Sequence, residues 1–392
     1  MKIDSVDFYY FSMPEVLEIG DGSQDALLVR IEAGGQVGWG ECEASPLTSI
    51  ASAVAPMSHS ACQPILASVV GERLDTVEDI ARIGDKVRAN SFDLLQMDHT
   101  LSGIDIALWD LMGKKLEQPS WRLIGYDRAH RKQPYASMLF GDCPADTHKK
   151  VRAACENGFS AVKLGWGPFG QSTPEIDAAH IQAVREALGT DGILLVDAGT
   201  VFAEDVDRAG QRLSALSAAK VHWFEEPFHN FALDAYSRLA KMSPPVALAG
   251  GEGSHNTHQA LQMMRQAGVK FIQVDTGRIG GISAAKIVAD HAAELGVTYV
   301  NHTFTSSLAL AASLVPYAGL RDHVLCEYPL ELKSLAQDVA GNPFPLDSDG
   351  FIELSEKPGL GVEVQLDRLK KYLVDVEIRI GGKIIYQTPE LR

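Results

Sequence analysis

From about residue 133 the hydrophobic positions keep a regular beat. The short apolar runs are QPYASM (133–138), SAVKLG (160–165), ILLVDA (193–198), VHWFEE (221–226), VALAGGE (246–252), FIQVDT (271–276), TYVNHT (298–303) and HVLCEY (323–328). They recur at roughly 25–30-residue intervals, separated by longer amphipathic stretches. In PEIDAAHIQAVREAL (174–188), Ile176, His180/Ile181, Val184 and Leu188 fall at helical spacing. SAAKIVADHAAEL (283–295) reads as another helix, with Ser283 as its N-cap. Strands apolar on both faces that alternate with helices predict a parallel sheet. Eight such units predict an α/β protein of the (β/α)8-barrel type. An open doubly wound sheet is the alternative, and it falls behind because no GxGxxG follows the first run.

Upstream the texture differs. IDSVDFYYFSMP, DALLVRIEAG and QVGWGEC read as antiparallel strands with a hairpin at Gly34–Gly35, and the stretch from about 74 to 125 reads as helical. The tail, DVEIRIGGKIIYQ (375–387), reads as a further hairpin turning at Gly381–Gly382. The shared strand-and-hairpin character of the two ends predicts that the tail returns to the first domain. The expected organisation is an α+β capping domain over 1–130, a barrel over 131–355 and a returning C-terminal segment over 356–392.

Composition narrows the function. The chain has 392 residues, 46% of them hydrophobic, and a net charge of −16. That is ample for a core, and so acidic a chain repels nucleic-acid backbones and anionic membrane surfaces. The N-terminal MKIDSVDFYYFSMPEV has no apolar stretch of signal-peptide length, and no run approaches a membrane span. Cys42, Cys62, Cys143, Cys155 and Cys326 are odd in number and form no CxxC, which predicts free thiols and a cytoplasmic location.

In a barrel the chemistry collects at the C-terminal ends of the strands. Those positions carry Lys163, Asp197, Glu225, Glu252, Asp275, His302 and Glu327 on seven consecutive runs. Any one of them has an ordinary reading as a solvated loop residue, a cap or a satisfied structural side chain. Seven in register would all have to be solvated by one small mouth. Strand alternation puts Val221, Trp223 and Glu225 on the inner face, and predicts an outward, structural Glu226. Asp197, Glu225 and Glu252 on successive strands would repel one another unless a cation sat between them. All-oxygen ligation suits Mg2+; the alternative is a hydrogen-bonded carboxylate cluster without metal. Asp275 and His302 end adjacent strands, an arrangement that fixes an imidazole tautomer and makes a tuned base. Lys163 approaches from the opposite side.

These segments resemble the enolase superfamily in its mandelate racemase-like branch, over nearly the whole chain. GIDIALWDLMGKKLEQPSWRLIG (103–125) is similar to that branch's helical signature in the capping domain. LLVDAG, FEEPF and GGEG are similar to its metal-ligand strands, and VDTGRIGG and VNHTF to its Asp–His dyad. The resemblance implies Asp197, Glu225 and Glu252 as Mg2+ ligands, His302 as catalytic base backed by Asp275, and Glu327 as a hydrogen-bond donor to substrate. It also implies that the loops near 14–25 and 45–60 cover the mouth and select the substrate, and that the protein is a homo-oligomer, dimer or higher. Two positions depart from the pattern. Many relatives carry Lys-x-Lys where Lys163 is followed by Gly165, which makes Lys163 an electrostatic helper rather than a base. Many have Asn where Gly199 stands.

The implied common step removes the proton next to a carboxylate, and stabilising the resulting enediolate is chiefly electrostatic work, by the metal, Lys163 and a protonated Glu327. With Gly165 in place of a second lysine, His302 is the one clear base. One group suffices for a dehydration, in which it takes the α-proton and then protonates the departing β-hydroxyl. The expected activity is therefore an Mg2+-dependent acid sugar dehydratase yielding a 2-keto-3-deoxy acid. A racemase or epimerase using Lys163 and His302 on opposite faces is the alternative, and a catalytically dead metal- or ligand-binding homologue a remoter one. The capping loops offer Asp21, Asp25 and His59 but no Arg, which favours a monoacid over a diacid.

Overall fold

The computed structural model describes residues 1–242 and 245–392. Three N-terminal strands, β1 (Ile3–Ser12), β2 (Asp25–Ala33) and β3 (Gln36–Cys42), form an antiparallel sheet in the order β1-β2-β3. The β2–β3 turn is made by Gly34 and Gly35 at φ 56° and 79°, the left-handed region that glycine enters without strain. The helix Met97–Lys115 lies against this sheet. It packs so closely that a β-carbon on Gly38 would lie 2.1 Å from the Ala107 carbonyl oxygen, and one on Gly40 2.1 Å from that of Gly103. Its other side meets the helix Gly281–Leu295, so it is buried almost all round rather than on one face.

The eight expected strands are present: β4 (Gln133–Leu139), β5 (Ala161–Gly165), β6 (Ile193–Asp197), β7 (Val221–Glu225), β8 (Ala247–Gly250), β9 (Phe271–Asp275), β10 (Thr298–His302) and β11 (Leu325–Pro329). They form one parallel sheet in the order β10-β9-β8-β7-β6-β5-β4-β11. The sheet is a nearly closed barrel, with its seam between β10 and β11. There the Asn301 side chain stands in for ladder bonds: Oδ1 accepts from Glu327 N at 2.9 Å and Nδ2 donates to Glu327 O at 3.4 Å. Tyr135, Ala161, Leu195, Trp223, Ala249, Val300 and Leu325 fill the interior, as the alternation of side chains along each strand requires.

The tail hairpin, β12 (Glu377–Ile380) and β13 (Lys383–Gln387), turns at Gly381 and Gly382. It returns to the N-terminal sheet: Val374 N donates to Tyr10 O, Tyr386 Oη to Phe8 O and Tyr9 Oη to Glu390 O.

Two helix details differ from expectation. Ile176 is exposed, and Asp177 takes its place on the buried face of Pro174–Leu188, beside the expected His180, Ile181 and Val184. Asp177 accepts from Gly170 N and Arg212 Nε, a nonlocal network that outweighs the apolar pattern. Ser283 is not an N-cap, because its helix begins at Gly281. The free N–H of Ser283 is taken by Asp105, which reaches across from Met97–Lys115 and also accepts from Ser283 Oγ. All five cysteines are free, and no helix among the described residues is long and apolar enough to cross a membrane.

Candidate active site

The parallel register gathers the ionisable groups at one rim. Gly165 aligns with Asp197, Asp197 with Glu225, and Asp275 with His302. Lys163 sits two residues below the end of β5, and its ammonium lies 2.5 Å from Glu225 Oε1, 2.8 Å from Glu327 Oε1 and 3.7 Å from Asp197 Oδ2. Burial acts to lower its pKa, but the Glu225 and Glu327 charges prevail and hold it well above the ordinary lysine value.

Glu225 points inward, as the alternation predicts. Both its oxygens are engaged, one by Lys163 and the other by Trp223 Nε1 at 2.8 Å. Burial, reinforced by Asp197 and Glu252 and opposed by Lys163, pushes its pKa up to about 8. Asp197 accepts from Gly199 N at 2.8 Å, and its pKa is pushed up to about 6 by burial, against Lys163 and with Glu252. Glu327, expected as a hydrogen-bond donor to substrate, is surrounded here by donors of the chain itself. It accepts from Ser137 Oγ at 2.7 Å, Lys163 Nζ at 2.8 Å and Thr303 N at 2.8 Å. Burial alone would raise its pKa, yet Lys163 and His302 bring it below the ordinary value.

His302 Nδ1 bonds Asp275 Oδ2 at 2.7 Å, while Asp275 Oδ1 accepts from Gly277 N. Its Nε2 is 3.3 Å from Glu252 Oε2. Burial acts to lower the imidazole pKa, but Glu252, Glu327 and the Asp275 bond raise it well above the usual value.

Glu226 is the group that strand alternation misplaces. β7 ends at Glu225, and Glu226 takes φ 38°, so it no longer follows the pleat. It is only 5% exposed, its Oε1 is buried without a partner, and burial together with Glu252 and Asp197 raises its pKa well above the carboxylate range. A following proline favours extended backbone at the residue before it, so no local signal marked this departure.

The rim therefore offers Asp197, Glu225, Glu226 and Glu252, an all-oxygen donor set of the kind a hard divalent cation takes. The raised pKa values of Asp197, Glu225 and Glu226 and the orphaned Glu226 oxygen mark a place short of positive charge, which fits such an ion. Among the described residues, no three His, Cys, Asp or Glu side chains are already arranged to hold a metal, because Glu225 is turned to Lys163.

Above these groups is a cavity of about 260 Å³ lined by Lys163, Asp197, Glu252 and His302 from the barrel, and by Gly20, Asp21 and Glu43 from the cap. The 14–25 loop thus reaches the mouth. The 45–60 segment does not line it: Pro46–Val54 is a helix, and His59 pairs with Asp93 outside. Arg278, unforeseen in the sequence, also lines the cavity and grips Glu43 Oε2 with Nη2 at 2.7 Å and Nε at 2.9 Å.

Comparison with known proteins gives two family matches. Residues 13–125 match the mandelate racemase / muconate lactonizing enzyme N-terminal domain, and 146–368 the enolase C-terminal domain-like family. D-galactarolactone cycloisomerase from Agrobacterium fabrum is 31% identical over 364 residues, 88% of this chain and 90% of that protein. D-galactonate dehydratase from Variovorax paradoxus is 32% identical over 282 residues, 69% and 72% of the two chains. The crystal structure of a predicted mandelate racemase from Rhodobacter sphaeroides is 55% identical, with a TM-score of 0.95, and the match covers 99% of this chain and 100% of that one.

Proposed function

The chain belongs to the mandelate racemase branch of the enolase superfamily, and from that premise we propose that it is an Mg2+-dependent acid sugar dehydratase. The observation that carries this reading is the unequal standing of the two candidate bases. His302 presents Nε2 to the cavity with Asp275 fixing its other nitrogen. Lys163 lies beneath, ion-paired to Glu225 and Glu327 and held protonated. One acid–base group on one face suits an elimination; inversion at the α-carbon needs two.

Asp197, Glu225 and Glu252 would hold the cation, which when bound supplies positive charge that offsets the carboxylates and stabilises negative charge developing on the substrate. The chain's own groups do the rest. With Glu252 engaged by the cation, His302 would lose the charge that most raises its pKa; in its neutral form it takes the α-proton at Nε2, and the imidazolium is stabilised by Asp275. The Lys163 ammonium stabilises the enediolate from below. As the β-carbon–oxygen bond breaks, His302 returns the proton to the leaving hydroxyl, and water departs. The enol left behind becomes a 2-keto-3-deoxy acid. If the leaving oxygen belongs to a ring of the substrate itself, the same elimination gives an isomer without loss of water. The cycloisomerase relative favours that as the second reading.

The test is a panel of mono- and diacid sugars with Mg2+ in D2O, followed for 2-keto acid, α-deuterium and product mass. A keto product lighter by one water is expected, and His302→Asn should lower the rate by at least ~10²-fold. A keto product of unchanged mass would favour the ring-opening reading. Deuterium without ketone would point to an epimerase. In that case Lys163→Ala decides whether the lysine is the second base, since exchange surviving at its face would remove it from that role.

A further inference from the structure

We propose that Trp166 is the wall against which the substrate's carbon chain lies, so that the site selects acid sugars that turn a C–H face, free of hydroxyls, toward the indole. The inference rests on the reading of this cavity as the substrate site. It adds a residue and a stereochemical requirement to it.

Trp166 follows the last residue of β5 and adopts φ 57°, a backbone conformation that a bulky side chain rarely takes. Strain of this kind persists only where the surroundings impose it, and it concentrates at functional positions. Two glycines do the imposing here. A β-carbon on Gly20, in the capping loop, would lie 2.7 Å from the indole, and one on Gly199, beyond β6, would lie 2.8 Å from it. Residues from two separate parts of the chain are thus reduced to hydrogen to accommodate one ring. Gly199 itself has φ 52°, so any side chain there would be strained as well as obstructed. The missing Asn at this position is accounted for: the ring occupies its space.

Were the indole only a joint between cap and barrel, both its faces would be covered. It is 47% exposed, whereas Trp39, Trp109, Trp121 and Trp223 are at most 8% exposed. It lines the same cavity as Lys163, Asp197, Glu252 and His302. Polar groups on the cap side, Asp21, Glu43 and Arg278, can bond hydroxyls. An indole face cannot; it favours C–H groups, whose slight positive charge meets the electron-rich ring. The cavity therefore combines polar groups with an aromatic surface, which is how a small site orients a polyhydroxy acid.

The same burial contrast supplies the assay, because Trp166 is the tryptophan whose emission a ligand in this cavity can reach directly. His302→Asn, which halts turnover, is titrated with D-gluconate, D-galactonate, D-arabinonate and D-xylonate in the presence of Mg2+. Heat and tryptophan emission are recorded together. For the acid that binds best, emission should change in step with heat. With Trp166→Phe added, the emission change should vanish while binding persists. Trp166→Ala should weaken binding roughly tenfold, and in the otherwise wild-type enzyme should raise KM by about that factor with kcat altered much less. Heat without an emission change, unaltered affinity in Trp166→Ala, or no heat from any of the four acids overturns the proposal. Binding and emission change with wild-type protein that forms no keto acid would sink the dehydratase reading and leave the role of Trp166 standing.

Discussion

Glu41 lies inside β3, enclosed where the cap meets the loop after β10. Ser306 Oγ donates to its carboxylate, and its Oε1 is buried without a partner. Burial pushes its pKa from the ordinary 4.5 up to about 7, against the pull of Ser306 and Thr305. Between those two values the folded protein keeps a proton that the unfolded chain has released, so stability should fall as pH rises through that window. The full effect is roughly 3–3.5 kcal/mol. Glu41→Gln retains the shape and an acceptor for Ser306 but removes the titration. Urea unfolding at a series of pH values should show a flatter decline for the variant; an identical slope would mean that Glu41 ionises as freely folded as unfolded. At this scale the sequence is a partial guide. Asp197, Glu225, Asp275 and His302 end their strands as their runs predict, whereas Glu226 is buried near the site's carboxylates because the pleat stops one residue before it.

Among the elements, the strand runs of the sequence coincide with the observed strands to within a residue or two, because a strand covered on both faces must be apolar along its length. The barrel's closure was not legible. Asn301 reads as one polar residue in TYVNHT, yet it is the bridge across the seam. Besides its two bonds to the Glu327 backbone, its Oδ1 accepts from Tyr317 Oη at 2.9 Å and its Nδ2 donates to Ser313 Oγ at 3.0 Å. Asn301→Ala would leave these buried partners unsatisfied. A loss of about 3 kcal/mol in chemical denaturation is expected. Activity at a temperature where the variant stays folded should fall too, since the backbone that carries Glu327 loses its tether. Full stability in the variant would mean that β10 and β11 close by packing alone.

Across the whole molecule, the cap and the barrel meet at the rim through Glu43 and Arg278. The guanidinium grips Glu43 while Nη1 donates to the Glu252 backbone carbonyl at 3.0 Å, so one side chain links the residue that follows the capping sheet to the backbone that carries Glu252. The pair is largely buried, with side chains 12% and 19% exposed. A double-mutant cycle of Glu43→Gln and Arg278→Met should return a coupling of about 2 kcal/mol in unfolding. A coupling near zero would mean that packing of the helix Met97–Lys115 against Gly281–Leu295 joins the two parts unaided.

The sequence by itself determined the eight-unit barrel, the antiparallel cap with its returning hairpin, and the strand-end residues that converge. These follow from period, alternation and turn chemistry, which are local properties of a chain. Only the tertiary structure decided that Glu226 is buried near the site's carboxylates, that Ser137, Lys163 and Thr303 enclose Glu327, that Asn301 closes the seam, that Arg278 reaches Glu43, and that two glycines cradle Trp166. Each of these depends on where distant segments stand in space, or on what the backbone does once a regular element has ended, and no local pattern encodes either.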